Sequence, residues 1–379
     1  MSQNLRVLIA GTGFAGEGHA QAFRAAGAEI VGMVGRTPHV VEDVAERLGI
    51  VYAGTNWAEA LSVCAPDIVS IGTPGGAHFE PIQQAIEAGC HVFCDKPMTE
   101  SGPTAVELRD LALAKGVKTA YAASYRYTPS VQHARALVAA GAIGEPTEIE
   151  CISHFNLERN IPFGWSHRRA DGGGRLNNNF THTLSIACAV VGEKILSVMG
   201  EVRDDLGRAP IVEGVHNFAT RRDFIPRDLD DPTLQWGESD AEWSYTVLAR
   251  LESPMARQPV SVLFKHGGLV PRFHEDHIVF YGTEGAIYIK GHYGSRELFL
   301  HGADGDWQEQ ALPDGIAEGL PDVSGETELC WHLLARDFVA DIRGEPAPPY
   351  PTFREGAEYQ QIIDIIRENA GWTNVAGLR

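Results

Sequence analysis

Continuous apolar runs recur through the first third of the chain: LRVLIA, EIVGMV, DIVSIG, HVFCD and VKTAYA, with helix-spaced stretches between them. Such runs read as strands buried on both faces, and the helical segments between them supply the crossovers of a parallel sheet. After Thr147 the pattern changes. Trp243, Tyr245 and Val247 alternate with Ser244 and Thr246, and HIVFYGTEGAIYIKG holds two strand-like segments about a turn at residues 283–285. Alternation interrupted by tight turns predicts antiparallel strands packed on one face, and Asp304-Gly305 marks a further hairpin. Residues 221–242, rich in Asp and Pro, predict a long surface loop, and GEPAPPYP (344–351) separates two C-terminal helices. No internal repeat or low-complexity tract interrupts this order.

A chain of 379 residues is too long for one ordinary core, so the change of pattern marks a domain boundary, placed between residues 1–124 and 125–379. The 44% hydrophobic content is ample for two cores. A net charge of −19, with no clustered Lys and Arg, argues against nucleic acid or an anionic membrane as a partner and favours an uncharged or cationic small substrate. The opening MSQNLRVLIAGTG enters a strand directly, without the basic and apolar segments of a signal peptide or membrane span, so a cytoplasmic location is expected. The six cysteines are scattered. Cys90 and Cys94 flank a buried strand and read as reduced core thiols. HEDH (274–277) lacks the spacing that sets two imidazoles on one helix face, and no metal site is expected.

Directly after the first strand stands Gly11-Thr12-Gly13-Phe14-Ala15-Gly16, followed by a helical pattern. The first glycine permits the tight turn, the second lets backbone approach a pyrophosphate, and the third lets helix pack on strand. The anion meets the helix N-terminus at Phe14 and Ala15. This order of strand, loop and helix predicts a dinucleotide-binding Rossmann domain. At the end of the second strand, where an acidic residue would bind the ribose 2′-hydroxyl of NAD, the chain has Gly35-Arg36-Thr37. Arg36 and Thr37 can hold a 2′-phosphate, which favours NADP. The alternatives are NAD, with Arg36 stacked on adenine, or a plain helix cap at Thr37-Pro38.

Several further stretches resemble the Gfo/Idh/MocA oxidoreductases, the glucose–fructose oxidoreductase and inositol dehydrogenase family. They are His19 at its offset from the glycine motif, Thr73-Pro74 with His78 (a TPxxxH turn), AGCHVFCDKPMT (88–99), SYRYTPS (124–130), GAIGEP (141–146), Trp165, residues 172–182, and GTEGAI (282–287). The resemblance implies a fold of α/β class, with an N-terminal Rossmann domain and a C-terminal α+β domain carrying a large, mostly antiparallel open sheet. It also implies assembly through that sheet as a homo-oligomer, dimer or tetramer. Thr73, Pro74, His78 and Asp95 are then expected beside the cofactor.

Lys96 follows Asp95 at the C-terminal end of a strand, where ligands of open α/β sheets bind, and Pro97 restricts its backbone. An ammonium there can hydrogen-bond a reacting hydroxyl and offset alkoxide charge. In GGGRLNNNFTHTLS (172–185) a helix is expected over 178–191, ending at Gly192. Phe180, Leu184, Ala187 and Val191 form its buried stripe, and Asn178, His182 and Ser185 share a second face directed at a cleft between the domains. His182 is the acid/base candidate, since imidazole exchanges protons near neutrality. The family pattern resembles LxDxGxHxxD. Here Asn178 and Ser185 stand at its acidic positions and Phe180 replaces a glycine, so Lys96 and His182 carry proton transfer while Asn178 orients hydroxyls. Phe180 either reshapes the pocket or fills core.

Residues 154–170 offer Trp165 for stacking on a sugar ring and Asn156, His167, Arg168 and Arg169 as hydroxyl partners. Adjacent arginines suit a carboxylate-bearing sugar, or are rim charges. Tyr125, Arg126 and Tyr127 sit at the hinge, touching substrate or only packing. The activity expected is hydride transfer between nicotinamide and a ring carbon of a sugar, sugar derivative or cyclitol. The alternatives are a redox-neutral NAD-dependent glycoside hydrolase or lyase working by transient oxidation, and a non-catalytic dinucleotide sensor.

Overall fold

The computed structural model describes residues 4–368 apart from 193, 272–274, 295, 303, 304, 314, 316, 317, 322 and 324. Its first half alternates β1 (Arg6–Ala10), α1 (Phe14–Ala25), β2 (Glu29–Val34), α2 (Pro38–Leu48), β3 (Tyr52–Gly54), α3 (Trp57–Cys64), β4 (Ile68–Ile71), α4 (Phe79–Glu87), β5 (His91–Cys94), α5 (Gly102–Lys115) and β6 (Thr119–Tyr121). The strands form one parallel sheet in the order β3-β2-β1-β4-β5-β6. Four of the five apolar runs are strands close to full length, and VKTAYA contributes three residues. β3, three residues long and only half-buried, carries too little apolar signal to be read from the pattern. Helix starts follow local chemistry: Asn56 accepts a hydrogen bond from the Glu59 amide at the head of α3, and Pro38 and Pro103 occupy first-turn positions in α2 and α5.

The second half contains α6 (Pro129–Ala139), β7 (Pro146–His154), α7 (Thr181–Val191), β8 (Lys194–Arg203), β9 (Arg208–Pro210), β10 (Trp236–Glu238), β11 (Ser244–Glu252), β12 (Val260–Gly267), β13 (His277–Gly282), β14 (Ala286–Lys290), β15 (Leu298–His301) and β16 (Trp307–Glu309). Eight of these strands form a sheet in the order β16-β15-β14-β13-β7-β12-β11-β8, antiparallel except for the β7–β12 pair. The turn at 283–285 joins β13 to β14 as the alternation implied. Asp304 lies outside the described residues, between the antiparallel partners β15 and β16. Residues 221–242 differ from the expected surface loop: Trp236–Glu238 pairs with β9, and Glu242 is fully buried.

Two last helices, α8 (Glu326–Ile342) and α9 (Phe353–Glu368), flank residues 344–351 as expected. Both return to the first sheet. Trp331, Leu334 and Phe338 of α8 share a core with Phe23, Phe93 and Ile9, and Asp364 of α9 accepts the Gly102 amide at 2.6 Å. The C-terminal residues thereby fix the two sheets about the crossover at 124–128. All six cysteines are buried and free, so the expectation of unpaired core thiols stands.

Candidate active site

β1 and β4 are neighbours, yet their following connections run in opposite directions, so a crevice opens at their C-terminal ends. Gly11 holds φ +113° there, and a Cβ on it would meet the Gly72 carbonyl at 2.7 Å. A Cβ on Gly13 would meet nothing within 4 Å, and no side chain caps the first turn of α1. Amides of Phe14, Ala15 and Gly16 thus front an open floor suited to a pyrophosphate. Across the crevice the Thr73 hydroxyl is buried without a partner, which fits a ligand donor or acceptor. Pro74 is exposed beside it. At the end of β2, Arg36 is exposed and Thr37 caps α2 with no side-chain bond, so both side chains remain available to the adenosine end.

His78 has a different place from that expected of a ligand contact. It is buried, and its ring nitrogens lie 2.6 Å from the Thr73 carbonyl and 3.1 Å from that of Met98. It therefore ties the loops after β4 and β5 together. His19 is likewise structural: its Nδ1 meets Ser70 at 3.0 Å, and burial pushes its pKa down to about 3.

The catalytic candidates meet between the domains. Asp95 accepts the Lys96 amide at 2.8 Å, which sets the corner past β5. A Cβ on Gly172 would come within 3.0 Å of both Pro97 and Gly75, so backbone of the second domain lies directly against the Lys96-Pro97 corner. From there one π turn, Leu176–Phe180, leads into α7. The helix begins later than residue 178, but Phe180, Leu184, Ala187 and Val191 bury completely as a stripe. His182 has a pKa well below the ordinary imidazole value, through burial first and then the positive charges of Lys96, His292 and Arg175. Its Nδ1 is buried without a partner, leaving Nε2 as the nitrogen that the cleft can reach. Tyr125 holds the ring edge-on at 4.5 Å and stacks on Tyr293 at 4.3 Å. The Lys96 ammonium is also shifted down, by burial and then Arg175, with Asp95 opposing, and it has no hydrogen-bond partner among the described residues.

The three asparagines of the stretch divide their work. Asn177 donates to the Gly173 carbonyl and accepts from Gln360 of α9; Asn179 accepts from Tyr245 and donates to Tyr293 at 2.9 Å. Asn178 alone is half-exposed, with Oδ1 3.4 Å from Arg175 Nη1. Ser185 does not share that outlook. It is fully buried, donates to the Ala123 carbonyl and accepts from Arg126 Nε at 3.0 Å, which takes both side chains out of the cleft and makes them a fastening between α7 and the crossover.

Other expected contacts lie at the rim or beneath it. His167 is buried, bonded through Nδ1 to the Gly164 amide, with burial and Arg221 lowering its pKa to about 4. Arg168 pairs with Asp171, and Arg169 with Asp204 at 3.3 Å and with Glu242 at 3.7 Å, so both arginines already have acids beside them. Asn156 is exposed at φ +46°, and half-buried Trp165 sits 5.4 Å from Phe218. The cations that do enter the cleft were not expected. Arg175 is 7% exposed, lies over Phe155 at 4.8 Å and donates through Nε to His266 Nε2 at 2.9 Å. Arg221 reaches in from the 211–235 loop, bonded to Ser166 at 2.9 Å, its pKa lowered to about 9 by burial, Arg175 and Arg222. A charged residue directly after three glycines was the available signal for Arg175; Arg221 had none.

Comparison with known proteins places the chain in a family. An oxidoreductase family with an NAD-binding Rossmann fold matches residues 5–123, and the GFO/IDH/MocA C-terminal domain matches 131–288. Levoglucosan dehydrogenase of Pseudarthrobacter phenanthrenivorans is 30% identical over 98% of each chain. The chain belongs to the Gfo/Idh/MocA oxidoreductase family. Escherichia coli D-glucoside 3-dehydrogenase is 31% identical over 50% of this chain and 55% of its own. In fold, a levoglucosan dehydrogenase solved with NADH and levoglucosan superposes with a TM-score of 0.81, at 22% identity and covering 99% and 100% of the two chains. Phe180 proves to be core, edge-on to Tyr245 and Phe264. Among the described residues no group of three or more His, Cys, Asp or Glu is placed to hold a metal, and no helix is long and apolar enough to cross a membrane. His274 of the HEDH stretch lies outside the described residues.

Proposed function

We propose that the protein is an NAD(P)-dependent dehydrogenase that oxidises a ring carbon of a sugar, sugar derivative or cyclitol. The observation that carries the reading is that backbone of the second domain at Gly172 lies against the Lys96-Pro97 corner, where the Lys96 charge acts on His182 of the other half. Bound nicotinamide supplies the hydride acceptor. Gly13 leaves open the head of α1, where the Phe14 and Ala15 amides can meet the dinucleotide's pyrophosphate, Gly11 and Gly16 let the turn and helix pack closely beneath it, and Thr73 offers an unpaired hydroxyl. His182, neutral because burial and neighbouring cations disfavour its charged form, takes the hydroxyl proton through Nε2. Lys96 donates a hydrogen bond to the same oxygen and offsets its growing negative charge. Asn178 can only orient a hydroxyl. Trp165 and Tyr125 wall the sugar site. The test is net nicotinamide reduction across a panel of hexoses, uronates, glycosides and cyclitols. Reduction by at least one class is expected, whereas turnover of a glycoside without net reduction would establish the redox-neutral reading instead.

Arg36 and Thr37, free at the end of β2 where no carboxylate stands, favour NADP over NAD. Tighter binding of NADP in titrations of both cofactors is the expected result; equal or tighter NAD binding removes the assignment. The second sheet leaves Met199 and Leu248, register partners on β8 and β11, 60% and 48% exposed, a patch suited to pairing with a second copy. Sedimentation is expected to give a dimer or tetramer that Met199→Lys weakens. Six unpaired cysteines favour the reducing cytoplasm.

A further inference from the structure

We propose that the cleft is built for a sugar acid, its carboxylate held by the Arg175 guanidinium with Arg221 beside it. The proposal rests on the dehydrogenase reading and narrows its substrate class.

The Arg175 guanidinium is buried and no carboxylate hydrogen-bonds it among the described residues, although the charge of Glu242 acts on it from further off. Nε donates to the neutral His266 ring, Nη1 to the Asn178 amide oxygen, and Nη2 is buried with no partner among the described residues. His266 cannot answer the charge: its Nδ1 faces Ser153 at 2.7 Å, and burial and Arg175 hold it unprotonated. The carboxylates nearby are committed elsewhere. Both oxygens of Glu242 receive Arg367, at 2.9 and 3.2 Å, and one also takes the Leu176 amide at 3.1 Å. Asp276 takes His292 and the His154 amide, and Asp95 the Lys96 amide. Asn178, the side chain that Nη1 meets, is an amide and brings no charge to neutralise Arg175.

The positive groups are also close to one another. Arg175 lowers the pKa of Lys96, Arg221 and His182. Asp95 offsets Lys96 and Glu242 offsets Arg175 only in part, since burial still lowers both pKa values, and cations that repel one another in a cleft are consistent with an anion arriving as ligand. The planar fork of Arg, with an edge lacking a partner, matches a carboxylate better than a hydroxyl. Net charge pointed the other way, because −19 is a property of the outer surface, whereas a substrate in the cleft meets the local field.

The test uses the full chain with NADP and NAD and matched pairs: glucose against glucuronate, galactose against galacturonate, methyl glucoside against methyl glucuronide, with glucose 6-phosphate as a second anion. Each uronate is expected to exceed its neutral partner in kcat/KM by about tenfold or more, mainly through KM, as a charge-assisted pair supplies. Arg175→Gln and Arg221→Gln should each collapse that ratio, the second without disturbing His266. Equal or better use of the neutral partners overturns the sugar-acid assignment and leaves the dehydrogenase reading standing; preference for the phosphate overturns it as well. If no pair reduces nicotinamide, the dehydrogenase reading fails, and calorimetric binding of the same pairs decides: tighter uronate binding sustains the carboxylate site, and equal or absent binding removes it.

Discussion

Asn178→Asp reverses the departure that most changes the charge of the site. The new carboxylate stands 3.4 Å from Arg175 Nη1 and four residues before His182. Side chains so spaced on a helix lie about 6 Å apart, and at an effective dielectric of about 20 opposite charges at that distance attract by about 3 kcal/mol, or about 2 pH units. A negative neighbour favours imidazolium, so the His182 pKa rises from its depressed value. Oxidation requires the neutral ring, and the acid limb of kcat/KM reports the free enzyme. In the parent that limb lies well below the ordinary imidazole range; in the variant it moves up by about 2 units. The pH dependence of kcat/KM at saturating cofactor measures it, with histidine imidazole NMR to assign the group. An unmoved limb, or one moved down, would refute the claim that His182 titrates in the field of Lys96 and Arg175.

Replacing Lys96 with methionine keeps the bulk and removes the charge. Steady-state kinetics should show a loss in kcat/KM of about a hundredfold or more, and unchanged turnover would remove Lys96 from the chemistry. Phe180→Ala empties a fully buried site against Tyr245 and Phe264, so urea unfolding should show a loss of about 3–5 kcal/mol; a loss under 1 kcal/mol would place the ring outside the core. Acid stability follows from the buried imidazoles, His19 at about 3, His167 at about 4, and His182 and His266 well below the usual value. Unfolded histidines protonate near 6.5 and these folded ones do not, so stability is full above that pH and falls below it. The slope is about 1.4 kcal/mol per unit for each histidine until the folded pKa is reached. Urea midpoints between pH 7 and 5 that do not move would contradict this.

The parallel sheet was legible because its strands are buried on both faces and read as unbroken apolar runs. The dinucleotide loop was legible because Gly11, Gly13 and Gly16 each answer a separate steric need. β3 was missed because three half-buried residues leave no periodic trace. Within the site, Lys96 and His182 could be placed from a strand end and a helix face. Ser185 and Arg126 could not, because helical spacing shows which residues share a face and says nothing of what packs there; α7 is buried nearly all round, and that face meets the crossover. The same limit hid Arg175 and Arg221. Arg168 and Arg169 carry identical chemistry nearby, and only three-dimensional packing shows that acids at Asp171 and Asp204 take those two while the other pair turns inward.

A crystal structure of the ternary complex with reduced cofactor and a turned-over sugar bears most directly on the whole account. Lys96 Nζ and His182 Nε2 should both lie about 3 Å from one substrate oxygen, whose carbon faces the nicotinamide ring. A sugar bound with that oxygen against any other pair of groups would contradict it.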